Sequence, residues 1–503
     1  MPSSLSPEVP ARSSAEPTAD DTVAGAVDVR RVRLVLAGLV VAMLMASLDQ
    51  TILSTALPTI VAELDGVRRM SWVITAYTLA ATVVMPFYGR IGDLVGRKPV
   101  FLAAIALFLL GSVIGGLAGS MPVLVAGRFV QGLGGGGLII TAQALIADVV
   151  PPRQRGRYLG LMGAVFAVSS VAGPLLGGYF TEVAGWRWCF WINLPLGVAA
   201  LVVAARVLER PARPVRRPRL DWAGMALLAV AVTAVVLLGG WAGHTYAWRS
   251  PQIIGLAVLV LVSAGGFVAV ERRTAEPVLP LGLLRRRVFV LATTAGLLLA
   301  ICMFAAISYL PTFLQRVGGH TPSAAGLLML PLMGGVLVAS IVSGQIVART
   351  GTYKPFPVAG LTLTGATLLA MSTMDASTSV VTTSLLLAAL GTGIGLTMQI
   401  LVLIVQNDVA HALVGTATAA NNVFREIGAS LGITVVGTLF TARLGARLAA
   451  GEAEPVAYAE ALTPVLGWLS PLCLVAVVLV LALRPAPLRT TNDDPPTTAI
   501  VHP

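Results

Sequence analysis

A chain of 503 residues that is 56% hydrophobic and only 11% charged is excluded from the soluble globular class, where charged residues make up about 25%. Its mean hydropathy of +0.87 fits a polytopic membrane protein, and the length suffices for fourteen helices of about 20 apolar residues, the length that crosses the hydrocarbon. The net charge of +11 does not imply nucleic acid, because the cations sit in short loops between apolar runs, where they set orientation.

In chain order, residues 1–31 are rich in Ser, Pro, Ala and acids and read as a disordered cytoplasmic tail. No cationic stretch followed by a short apolar run opens the chain, so no signal peptide is expected. The apolar pattern predicts spans at about 32–57, 72–88, 100–117, 123–146, 158–180 and 190–207. A linker with Arg206, Arg210, Arg213, Arg216, Arg217 and Arg219 follows, then spans at about 222–241 and 253–270. A second basic linker carries Arg272, Arg273, Arg285, Arg286 and Arg287. Six more spans are predicted at about 288–313, 324–348, 356–374, 380–405, 417–440 and 461–483, and a polar, Pro-rich cytoplasmic tail occupies 484–503.

With both termini cytoplasmic, the outer loops hold only Arg68, Arg69, Arg187, Arg249, Arg316, Arg443 and Arg447 of the 34 Lys and Arg. The opposite topology would put the excess of cations outside, against the positive-inside rule. The three cysteines and four histidines lack metal or pairing spacing, so no metal and no cofactor is expected. No nucleotide loop and no soluble domain is present, so an enzyme is not expected. A sensor would append a soluble domain, and internal duplication argues against a channel.

The most informative stretch is residues 89–98, G-R-I-G-D-L-V-G-R-K, a short polar hairpin between spans 2 and 3. A plain positive loop would explain Arg90, Arg97 and Lys98. It would not explain Gly89, Gly92, Asp93 and Gly96 at fixed offsets. The stretch resembles the signature loop of the major facilitator superfamily, G-x-L-x-D-r-x-G-r-k, and it lies in the right context between two spans. Gly344 and Gly351 flank a similar stretch, G-Q-I-V-A-R-T-G-T-Y-K, with Ala348 where the first copy has Asp93. Gly156 and Gly173 are echoed by Gly415 and Gly432, and Asp148 by Asp408. Such repetition implies a two-half design: 32–207 and 288–483 as six-helix halves, with 208–287 as linkers and two inserted helices.

Further motifs carry the resemblance toward the fourteen-spanner drug:proton antiporter family (the EmrB/QacA type). Span 1 reads L-D-Q-T-I-L-S-T-A-L-P and puts Asp49 inside a span, where an ionisable group is a functional candidate by default. A permanently hydrogen-bonded Asp, held by Thr51 or a neighbouring helix, is the competing reading. Span 4 reads G-R-F-V-Q-G-L-G-G-G-G, with Arg128 and Gln131. Arg128 lies about 10 Å below the outer end of its span and Asp49 about 24 Å from the inner end of span 1, at compatible depths. A nearby cation favours a charged carboxylate, and its withdrawal favours protonation. The glycine run is not a phosphate loop, since no Lys-Ser/Thr follows it; small residues permit close helix packing.

Span 5 carries Gly173, Pro174, Gly177 and Gly178, similar to the superfamily's antiporter motif, with a serine where its first glycine is expected. Proline bends the helix and glycines let it pack closely; the resemblance implies export. The stretch W-R-W-C-F-W-I-N-L-P-L-G, residues 186–197, also resembles the family. Span 13 carries Arg425 and Glu426, which point about 100° apart and need not pair; Glu426 departs from the family's neutral residue. Asp148 and Asp408 read as partners in ion pairs at span ends.

The resemblance implies an all-α polytopic membrane protein of major facilitator fold. It also implies proton-coupled efflux of lipophilic, cationic drugs across the cytoplasmic membrane by alternating access, driven by the proton gradient without a cofactor. Asp49, Arg128, Gln131, Arg425 and Glu426 are the candidate coupling and cavity residues, and Gly89, Asp93, Gly96, Arg97 and Lys98 the gating loop. Met43, Phe166, Phe304 and Tyr309 are expected to line the cavity. Partners are a small-molecule substrate, protons and lipid, with a monomer expected. A dedicated exporter of one metabolite or self-made antibiotic is the alternative.

Overall fold

The computed structural model describes residues 29–208, 220–243, 245–274, 276–484 and 486–490. The expected N-terminal tail up to residue 28 and the linker arginines from Arg210 to Arg219 lie outside these residues, whereas Arg206, read as part of that linker, stands in the last turn of the helix Asn193–Val207. The described chain is helical throughout, with one isolated bridge between Ala242 and Tyr246. Helices α1 (Val29–Glu63), α2 (Met70–Val95), α3 (Arg97–Gly116), α4 (Met121–Val149) and α5 (Pro152–Val183) come first. A broken helix, α6 (Trp188–Trp191) and α7 (Asn193–Val207), follows them. Next come the hairpin α8 (Trp222–Trp241) and α9 (Pro251–Glu271) and the short α10 (Gly282–Arg285). The rest comprises α11 (Arg287–Arg316), α12 (Pro322–Leu328), α13 (Leu330–Thr350), α14 (Pro355–Met371), α15 (Val380–Asp408), α16 (Val414–Ala449), α17 (Glu454–Gly467) and α18 (Ser470–Leu481).

All fourteen predicted apolar segments are helical, and thirteen stretches among the described residues are long and apolar enough to cross a membrane. The remaining segment, predicted at 356–374, is the 17-residue α14. At 1.5 Å per residue it is about 26 Å long, just short of a hydrocarbon core of about 30 Å. Apolar side chains such as Leu175, Val183, Leu261, Val262 and Leu385 are more than 60% exposed on the outside of the bundle. In water that surface would be a liability; in hydrocarbon it is the matching solvent.

Local sequence explains where the helices start and turn. Asp221 caps α8 by accepting from Gly224 N–H at 2.8 Å, and Ser379 caps α15 by accepting from Thr382 N–H at 3.1 Å. Gly96 (φ 103°) turns the chain between α2 and α3, and Gly351 (φ 76°) turns it between α13 and α14; both backbones lie where a side chain is strained. Proline inside α5 (Pro174) and inside α11 (Pro311) removes an intrahelical bond.

Helices α1–α7 pack mainly on one another, as α1 on α5 and α7, and α4 on α2 and α3. Helices α11–α18 do likewise, as α11 on α16 and α18, and α15 on α13 and α14. The two sets meet chiefly through α2 against α16 and α5 against α13. Small residues make both meetings possible: a Cβ on Gly89 would lie 2.6 Å from Gly415 O, and one on Gly160 would lie 2.3 Å from Ser340 O. The hairpin α8–α9 sits beside this assembly, with α8 against α2 and α16. Trp72 and Trp241 meet edge-on at 6.3 Å there, and Thr434 donates to Gly239 O.

Candidate functional site

Three polar groups of residues stand out inside the apolar bundle. The first surrounds Asp49 on α1, which is 1% exposed. Arg128 of α4 donates to Asp49 Oδ2 at 2.5 Å, and Gln131 Nε2 donates to Asp49 Oδ1 at 2.7 Å. Gln131 Oε1 also accepts from Arg128 at 2.7 Å, so the residues three apart on α4 act as one unit. Asn193 of α7 donates to Asp49 Oδ1 at 3.0 Å, and Ser112 of α3 accepts from both Gln131 (2.7 Å) and Asn193 (3.1 Å). The remaining capacity of Arg128 goes to Val73 O at 3.1 Å and to the Tyr77 ring, 4.3 Å below the guanidinium carbon. Two opposite charges are thus held out of water with their hydrogen bonds provided, the condition that makes a buried pair tolerable.

Depth arithmetic puts Asp49 and Arg128 at compatible depths, and the structure brings them into contact together with Gln131. Asn193 and Ser112 were not singled out. Each is a lone polar residue in an apolar run, which signals a buried partner without naming it. Thr51, the local hydrogen-bond candidate for Asp49, instead donates to Leu48 O and to Ser169 O at 2.8 Å. The antiporter-like glycines explain this contact. A Cβ on Gly173 would lie 1.9 Å from Thr51 Oγ1, and one on Gly177 would lie 2.0 Å from Ile52 O, whereas Gly178 meets nothing within 4 Å. Gly173 and Gly177 therefore seat α5 on α1 two to three residues from Asp49, and Pro174 O accepts from Thr55 at 3.2 Å beside them.

The second group is built by the signature loop. Asp93 accepts from the backbone N–H groups of Gly415 (3.0 Å) and Thr416 (2.7 Å), and from the Thr416 hydroxyl (2.9 Å). It thereby caps the N-terminus of α16, where unpaired N–H groups and the helix dipole favour an anion. Arg97 donates to Asp93 at 2.9 Å, to Asp148, and to His411 O at 3.3 Å. His411 Nε2 lies 2.9 Å from Asp148 Oδ1. Gly89 and Gly415 permit the close approach, and Gly96 starts α3. Lys98 reaches elsewhere, donating to Ala205 O (2.8 Å) and Leu208 O at the C-terminus of α7. Asp408 has Arg286 3.7 Å away.

Next to this latch is a neutral amide layer that sequence reasoning missed. Asn422 donates to Gln143 Oε1 (2.9 Å) and Thr418 O (2.8 Å), and Gln406 donates to Thr418 Oγ1 (3.1 Å) and Gln143 O (3.4 Å). Gln143, Gln406, Thr418 and Asn422 are at most 2% exposed. Among the described residues, the hydrogen bonds that join α1–α7 to α11–α18 all lie toward the end carrying residues 89–98.

The third group holds Arg425 and Glu426 on α16, apart from Asp49. The two were expected to diverge around the helix, yet their long side chains approach to 4.0 Å. Arg425 lines a small, tight cavity with Leu299, Met303, Met398, Leu401 and Asn421. Met43, Phe166, Phe304 and Tyr309, the expected lining, are not among its walls. Met43 packs in the core, and Tyr309 donates to Ile433 O at 3.0 Å. The premise for a cationic substrate, an acid inside the cavity, is not met by these walls either: Asp49 is enclosed among α1, α3, α4 and α7, and the charge on the lining is positive. Among the described residues, no three His, Cys, Asp or Glu side chains group as a metal site would require.

Comparison with known proteins adds a family frame. Residues 39–433 match the Major Facilitator Superfamily. An uncharacterized MFS-type transporter of Mycobacterium tuberculosis is 42% identical over 491 residues, covering 93% of this chain and 71% of the relative. The multidrug transporter protein MdtP of Bacillus subtilis is 36% identical, over 82% of this chain and 76% of its own. The acurin A biosynthesis cluster MFS-type transporter of Aspergillus aculeatus is 33% identical, over 82% and 76% respectively. Among solved structures, the proton:xylose symporter XylE superposes with a TM-score of 0.65 at 13% identity, covering 92% of this chain and 98% of that one. The human organic anion transporter MFSD10 superposes with a TM-score of 0.64 at 15% identity, covering 89% and 99%. These two likenesses speak to fold alone.

Proposed function

Because the chain belongs to the major facilitator superfamily, and is therefore a transporter and not an enzyme, we propose that it exports lipophilic compounds from the cytoplasm in exchange for protons. We read it as a fourteen-spanner of the drug:proton antiporter type in the cytoplasmic membrane, working as a monomer with both termini inside. Helix α14 is then the eleventh span, and α8–α9 are the two inserted helices between six-helix halves. The observation that carries the reading is the enclosed Asp49–Arg128–Gln131 unit with its Asn193 and Ser112 partners, an ionisable site built inside a membrane span.

The cycle follows from what each group can do. With the signature-loop end cytoplasmic, the latch of Asp93, Arg97, Asp148 and His411 closes the inner side, and the described arrangement is the outward-facing one. A proton reaching Asp49 cancels its charge and weakens its hold on Arg128. Helix α1 then shifts against α4 and, through Gly173 and Gly177, against α5. Since α5 meets α13, and α2 meets α16, that movement reaches both meetings between the halves. The latch and the amide layer part, and the cavity opens inward. Substrate enters there, and release of the proton to the cytoplasm restores the pair and the outward-facing arrangement.

The relatives support export of more than one kind: one is named a multidrug transporter and another belongs to a biosynthesis cluster. A dedicated exporter of one metabolite is therefore the second reading. The test uses everted vesicles with an imposed interior-acid gradient, reported by quenched acridine orange. Addition of lipophilic cations, neutral compounds or anions in turn should relieve the quench only in vesicles that contain the protein. Relief by several compounds supports broad export, and relief by one supports the dedicated exporter. Relief by none, with protein present in the membrane, contradicts proton exchange.

A further inference from the structure

Arg425 lies about 16 Å along α16 from Val414 at 1.5 Å per residue, close to the middle of a membrane span. A guanidinium at that depth is costly unless its donors are used. Arg128 meets the requirement with three acceptors. Arg425 does not. Its ionic neighbour Glu426 is 4.0 Å away, beyond hydrogen-bond reach, and its buried Nε has no hydrogen-bond partner. The guanidinium instead faces a cavity whose other polar wall is Asn421, one helical turn before it. The remaining walls are aliphatic or thioether side chains, including Leu299, Met303, Met398 and Leu401. Met303 and Met398 adapt readily to varied shapes. The walls stand close, leaving about 10 Å³, room for about one water, so a substrate enters only as the helices around the cavity part.

We propose that this cavity is the substrate site and that it takes a compact apolar molecule bearing an oxyanion, a carboxylate or a sulfonate, with Arg425 holding the charge and Asn421 donating beside it. The proposal deepens the export reading by naming the substrate class. Arg425 supplies donors that nothing in the described structure uses, the apolar walls take the body of the molecule, and a planar guanidinium suits a two-oxygen acceptor. Glu426 stays beside Arg425 without entering the cavity wall, so it balances charge when the site is empty.

The test is a binding measurement on the full chain purified in detergent, so it does not depend on proton coupling. Two probes share one body and differ in permanent charge: 2-naphthalenesulfonate and (2-naphthyl)trimethylammonium. By calorimetric titration, the wild type should bind the sulfonate more tightly. Arg425→Gln should weaken sulfonate binding by about tenfold or more, as expected when a charge-assisted hydrogen bond is lost, and leave the ammonium probe unchanged. Arg425→Lys should weaken it less. Tighter binding of the ammonium probe by the wild type, or sulfonate binding unaltered in Arg425→Gln, overturns the proposal. If Arg425→Gln does not fold, Arg425→Lys and Asn421→Ala carry the test, and selective loss in neither overturns it. Sulfonate binding with no proton exchange in vesicles would sink the antiport reading and leave the site standing.

Discussion

Arg128 and Arg425 are two arginines set deep in membrane helices, and their surroundings differ. Arg128 is enclosed by Asp49, Gln131, Val73 O and the face of Tyr77. Arg425 has a distant carboxylate, an unpartnered Nε and a cavity. A charge held by fixed hydrogen-bond partners is a structural and coupling element, whereas a charge without such partners is available to something that arrives. The difference separates two jobs that the residue pattern alone does not tell apart.

The comparison can be broken most directly at Arg128. Arg128→Met leaves the Asp49 carboxylate buried without its counter-ion and should cost about 3–5 kcal/mol, seen as a lower thermal unfolding midpoint in detergent. The double variant Asp49→Leu/Arg128→Met should regain most of that loss. Equal losses in the single and double variants would show that Arg128 matters for packing and not for the pair.

Smaller effects are expected at the signature loop. Asp93→Ala removes the cap from α16 and the partner of Arg97, a change worth about 1–2 kcal/mol. It acts on the meeting of α2 with α16, so it should speed labelling of a cysteine placed at Thr418, in a background without Cys189, Cys302 and Cys473. An unchanged labelling rate would remove Asp93 from the latch. Lys98→Met and Lys354→Met should each cost about 0.5–1 kcal/mol, the worth of an ordinary hydrogen bond. Their losses should be nearly equal, because Lys354 donates to Leu481 O and Leu483 O at the end of α18 as Lys98 does at the end of α7. Arg425→Met should cost about 1 kcal/mol, well under the loss at Arg128, because the carboxylate it leaves behind, Glu426, is a looser partner and less enclosed than Asp49. A loss as large as that of Arg128→Met would erase the distinction between the two arginines.

The two lysines show what was legible and what was not. They are the only ones in the chain, and the paired glycine spacing of the two hairpins was visible. Their shared role was not visible, because each reaches carbonyls more than 100 residues away. The same holds for Asp93. Its motif marks it as special, but its neighbours in sequence are cations, and its main partners lie 322 and 323 residues on, at the start of α16. Helix positions were legible because apolar runs of span length repeat. The contact of Asp49 with Arg128 was approachable because depth follows from counting residues. Asn193, Ser112 and the Gln143–Asn422 layer were out of reach, since an uncharged polar residue in an apolar span reveals burial but not its neighbour.

The most direct test of the account is proton exchange by Asp49→Asn, measured in everted vesicles with the wild type and Glu426→Gln beside it. The amide nearly preserves the shape of the buried cluster while removing its titration. We predict that Asp49→Asn still binds 2-naphthalenesulfonate but no longer relieves the acridine orange quench when a substrate is added, whereas Glu426→Gln retains the relief. Relief retained in Asp49→Asn and lost in Glu426→Gln would contradict the account and move the coupling site to α16.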